Sequence, residues 1–139
     1  MFTQVFAQLS MLILFAAVVM RVQYFYAPLA TLFVTICASA FVAALGLLIG
    51  VASRSEEQGI AFSLIFMFVL SGLGGAWVPL QFTGTAFQRV ARATPGGWVV
   101  GAHENVVRRG LGVRSVLLSC SLLTASAAGL VLLGRSSLP

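Results

Sequence analysis

Gly74-Gly75-Ala76-Trp77-Val78-Pro79 closes a hydrophobic run that begins near Phe62, and the chain beyond it never turns fully polar. That following stretch carries Thr94-Pro95-Gly96-Gly97-Trp98, then His103-Glu104, and ends in Arg108-Arg109-Gly110. The first half of the run, Phe62 to Leu70, is bulky and rich in Phe. Its second half, Ser71 to Ala76, has three Gly in four positions, each weakening a helix by roughly 1 kcal/mol relative to Ala. A bilayer tolerates such backbone only where it is buried in protein or lines a cavity. Trp77 is placed to mark a membrane interface, and Pro79 to end the helix.

Between residues 80 and 113 no apolar run is long enough to span a membrane. Phe87, Val90 and Ala91 share a helical face opposite Gln88, Arg89 and Arg92, which suits a short helix lying on the interface. Thr94 and Pro95 read as N-cap and first residue of a second short helix. On that helix Trp98, Ala102 and Val106 line up at i, i+4 and i+8, and Glu104 precedes Arg108 by four, the favourable order for an ion pair. Gly110 is a natural C-terminal stop.

The flanks of this stretch are plain membrane helix. The chain has 139 residues, 60% of them hydrophobic and only 8% charged, with mean hydropathy +1.05; a soluble domain carries about 25% charged residues. At this size too much surface is exposed for water-soluble packing to hide so many apolar groups. The expected fold is an all-α integral membrane domain. Its four spans cover about 2–20, 28–52, 60–78 and 115–133, each close to the roughly 20 residues a hydrocarbon core requires. Two short re-entrant or amphipathic helices sit between the third and fourth.

In the second span Ser39, Ala43, Gly46, Gly50 and Ser53 step along one face. Gly46 and Gly50 form a small-xxx-small pair, so this stripe reads as a helix-packing seam. The compact polar run Ser53-Arg54-Ser55-Glu56-Glu57-Gln58 follows. Ser53 or Ser55 can cap the third helix, with Glu56 and Glu57 favoured in its first turn by the helix dipole. The run reads either as a solvated turn or as a docking site for a soluble partner. Tyr24 and Tyr26 are placed like an interfacial belt.

Absent chemistry excludes several functions. The net charge is +5, from eight Arg and no Lys against three Glu. The arginines sit at the ends of apolar runs, where guanidinium groups meet headgroups, rather than in a solvated patch for nucleic acid. No charged residue lies within the second, third or fourth span, against a proton- or sodium-coupled carrier. His103 is the sole His, too few ligands for zinc, and a Ser nucleophile would have only His103 as its base. No phosphate-binding Gly-x-x-x-x-Gly-Lys loop exists, so the chain does not itself hydrolyse a nucleotide, and no cofactor is expected. Cys37 and Cys120 read as small buried hydrophobes. A cleaved signal peptide is not expected, since no basic n-region or Ala-x-Ala site is present.

The order of features resembles a family. Ala44-Leu45-Gly46-Leu47-Leu48-Ile49-Gly50 followed by the 53–58 run resembles the end of the fourth membrane helix and the next cytoplasmic loop of type-two ABC exporter permeases. Gly74, Gly75, Trp77 and Pro79 resemble the Gly-x-Trp-x-Pro close of their fifth helix. Thr94, Pro95 and Trp98 match their Asn/Thr-Pro-x-x-Tyr/Trp motif, which precedes the sixth span. The chain resembles only the last four spans of the family's six, as an incomplete permease domain would. The resemblance implies a multi-pass subunit of the plasma (inner) membrane, driven by separate ABC ATPase subunits and paired with a second permease copy or homologue. It implies that Arg54, Ser55, Glu56, Glu57 and Gln58 contact the ATPase, that the Gly-rich end of the third span lines or gates the exit path, and that 80–113 forms an outer lid. It also places the 53–58 loop in the cytoplasm, although the positive-inside rule applied to the arginines favours the reverse. The alternative reading is a small non-transporting membrane subunit that assists assembly or regulation.

Overall fold

The computed structural model describes residues 1–21, 28–78, 80–109 and 113–138. These form six α-helices and no strand, in agreement with the all-α expectation. The helices are α1 (Phe2–Val19), α2 (Pro28–Ala52), α3 (Glu56–Leu73), α4 (Thr85–Arg92), α5 (Pro95–Arg109) and α6 (Val113–Ser136), with a 3-10 turn at Leu80–Phe82 before α4. Four of them, α1, α2, α3 and α6, are long and apolar enough to cross a membrane.

The core is the seam between α2 and α6. Val34, Cys37, Phe41 and Ala44 of α2 pack against Val116, Cys120, Leu123 and Ala127 of α6. The Thr124 hydroxyl approaches the Cys37 sulfur at 3.8 Å, while farther along Ala44 and Leu47 share a groove with Ala127 and Val131. N-terminal half therefore meets N-terminal half, and the two helices run parallel. With α3 as the single return span between them, α4 and α5 stay at the end of the bundle where α3 stops and α6 begins. From there α5 reaches inward, burying Ala102 and Val106 in the same core as Ala30 and Val34.

Two buried hydroxyls in α2 are satisfied within their own helix. Thr35 Oγ1 donates to the Thr31 carbonyl and Ser39 Oγ to the Thr35 carbonyl, each at 2.7 Å, which matters where no water can replace a missing partner. α1 and α3 contribute no buried residue. Their Leu12, Phe15, Ile65, Phe66 and Met67 face outward, as lipid-facing helices do.

The third helix is shifted from its expected range of 60–78. It starts at Glu56 because Ser55, in extended conformation, caps it by accepting from the Gln58 N–H at 3.3 Å. It stops at Leu73, and Gly75 takes a left-handed φ of 78°, a conformation open to Gly at no steric cost. Trp77 consequently lies in a bend, where its ring meets Phe68 edge-on at 5.3 Å. Tyr24, Tyr26, Pro79 and Gly110, each assigned a role above, lie outside the described residues.

Candidate functional site

The two glycine motifs meet in space. A Cβ placed on Gly74 would lie 2.8 Å from the Gly96 carbonyl carbon, and one on Gly96 would run into the Leu70 carbonyl oxygen. A Cβ on Gly97 would strike the Ala91 carbonyl in the same way. The C-terminal end of α3, the end of α4 and the first turn of α5 therefore touch backbone to backbone. Only glycine permits that approach.

Polar contacts lock the corner. Thr94 Oγ1 donates to the Ala91 carbonyl at 2.7 Å and accepts from the Gly97 N–H at 3.2 Å, capping α5 while holding the end of α4. Trp98 Nε1 donates to the Arg92 carbonyl at 2.8 Å. Gln88 Nε2 donates to the carbonyls of Leu80 and Thr83 at 2.8 and 3.0 Å, tying the 3-10 turn onto α4. α4 and α5 thus form one braced unit seated on the end of α3.

A cleft of about 360 Å³ opens beneath this unit, lined among others by Gly75, Gln81, Val100, His103, Glu104 and Arg108. Arg108 and Glu104 form the expected i,i+4 ion pair at 2.9 Å, with both side chains largely exposed. His103 Nδ1 is 2.9 Å from the Val99 carbonyl. Burial pushes its imidazole below the usual histidine range, only partly opposed by that backbone contact. No group of three or more His, Cys, Asp or Glu that could hold a metal occurs among the described residues.

At the opposite end Ser53 Oγ donates to the Ile49 carbonyl at 2.6 Å, and the Arg54 N–H donates to Gln58 Oε1 at 2.9 Å. With Ser55 as cap, the 53–58 run is a tight, doubly bonded turn that leaves Arg54, Glu56 and Glu57 exposed. The residues of the expected packing seam have different surroundings. Ser39 is fully buried and Ala43 half-buried. A Cβ on Gly46 would meet the Met1 side chain at 3.4 Å, whereas one on Gly50 would meet nothing within 4 Å.

Two pairings were not anticipated from the sequence. Gly96 and Gly97 stood as unspecified positions of a motif, although two consecutive glycines just after a helix cap are themselves a signal, because helix formers are expected there. Cys37 and Cys120 face each other across the α2–α6 seam, a contact that spacing along the chain does not reveal.

The described helices define a multi-pass α-helical membrane protein whose third and last spans are joined by a braced two-helix cap. No family profile matches the chain, and no solved structure matches it. Over 87 residues it is 28% identical to the Linearmycin resistance permease protein LnrN of Bacillus subtilis (strain 168). That similarity covers 63% of this chain and 23% of the relative, so the matched part spans less than a quarter of the relative's length. The chain is thus distantly similar to a membrane permease.

Proposed function

We propose that this chain forms part of the permease subunit of an ATP-binding-cassette exporter of the plasma membrane, contributing to a translocation path that separate ATPase subunits drive. The similarity to a resistance permease carries the reading, and the fold supports it. The outward apolar faces of α1 and α3 flank a buried α2–α6 core, as spans packed in a bilayer would. In this reading the capped turn of Arg54 to Gln58 is the ATPase contact. The α4–α5 unit is the lid over the exit, moved as one body through the glycine contact with α3. A second permease copy or homologue packs against the exposed span faces.

Reconstituted complex tests the turn directly. Arg54→Ala with Glu56→Gln and Glu57→Gln removes the exposed charges and leaves the Ser55 cap in place. ATP hydrolysis stimulated by the permease should fall severalfold, while unchanged stimulation counts against the contact. Purification through a tag on this chain separates transport from the assembly reading, because an ATPase subunit should accompany a permease in fixed ratio.

A further inference from the structure

The charges of this molecule are distributed unevenly between its two ends. Arg21, Arg89, Arg92, Arg108, Arg109 and Arg114 lie at the α4–α5 end against Glu104 alone, whereas Arg54 and Arg135 at the other end are balanced by Glu56 and Glu57. The whole net charge of +5 therefore sits at one end. Of that group only Arg108 is engaged in an ion pair among the described residues. Arg89 and Arg92 project from the polar face of α4, both exposed. The same helix exposes Phe87 and Val90, and the segment leading into it exposes Trp77 by 63% and Phe82 by 76%.

We propose that α4, with Trp77 and Phe82 beside it, is a docking surface for anionic phospholipid headgroups. Guanidinium groups are planar donors that bind phosphate oxygens in pairs. An amphipathic helix with aromatic residues on its other side sinks that side to the acyl boundary and leaves its arginines at headgroup depth. Trp77 and Phe82 set that depth, because aromatic rings favour the membrane interface. A soluble acidic protein would match the charges but would leave these apolar side chains without an apolar medium, so charge and exposure together select a lipid.

The test uses the full chain in lipid nanodiscs made from an equimolar mixture of phosphatidylcholine and phosphatidylglycerol. After release into detergent, native mass spectrometry counts the lipids retained. Wild type should retain phosphatidylglycerol over phosphatidylcholine by roughly tenfold, and Arg89→Gln with Arg92→Gln should bring the ratio close to unity. Arg54→Gln with Arg135→Gln should leave the preference in place. The Arg89→Lys, Arg92→Lys variant should keep part of it, which separates lost charge from a disturbed fold. No preference in wild type, or a preference that survives in the glutamine variant, overturns the proposal, the latter outcome leaving the arginines free for a protein partner. The assay involves no ATPase and no transport, so its failure is distinct from failure of the permease reading.

Discussion

A methyl group added at Gly96 would run into the Leu70 carbonyl, and one added at Gly50 would meet nothing within 4 Å. The two glycines occur in equally suggestive sequence contexts, yet only one is sterically required. Gly96→Ala should destabilise the cap by about 1–3 kcal/mol, as overpacking does, and lower the temperature at which protease cuts near residues 76–84. Gly50→Ala should be neutral or add up to about 1 kcal/mol through helix propensity. Thr94→Ala removes a cap and should cost about 1 kcal/mol. His103 gives the same region a pH dependence. Its folded-state pKa lies below the ordinary 6.5 because burial disfavours the charged ring, so the unfolded state takes up its proton first. Stability from this group is therefore full above 6.5 and is lost as pH falls below that value towards the folded pKa. Thermal unfolding in detergent at pH 5.0 and pH 7.5, set by those bounds, should show a gap that His103→Gln narrows.

Among the helices, local signals and packing signals separate cleanly. The Ser55 and Thr94 caps, the amphipathic α4 and the Glu104–Arg108 pair were legible because each needs residues only three or four apart. The end of α3 was not. Hydropathy runs on through Trp77 and Val78, so the apolar signal alone carries the helix past the point where Gly75 turns the chain. The Gly74–Gly96 approach and the Cys37–Cys120 pairing join distant positions, and no periodicity encodes them. They depend on how whole helices stack. At this scale the 53–58 turn makes its own prediction. Ser55→Ala should cost about 1 kcal/mol and fray the first turn of α3, visible as faster amide exchange at Gln58.

For the whole molecule, the arrangement across the membrane is the property the lone chain reports. Under the proposed exporter function the α4–α5 end would lie outside the cell, in opposition to its concentration of arginine. Ala86 is exposed on α4 and makes none of the bonds that brace the cap, so Ala86→Cys offers a clean probe. An impermeant maleimide should label it in intact cells. Labelling only after permeabilisation would place this end in the cytoplasm and reverse the assignment of the 53–58 turn.

The self-bonded hydroxyls of α2 have a consequence for biosynthesis. The α2–α6 seam joins helices whose contacting residues, such as Cys37 and Thr124, lie 87 positions apart, so α2 enters the bilayer long before its partner has been translated. Thr35 and Ser39 already have their partners one turn back along the same helix. α2 can therefore wait in lipid with those hydroxyls satisfied, and the arrival of α6 replaces only lipid tails. α6 then completes the core without either hydroxyl having to exchange partners.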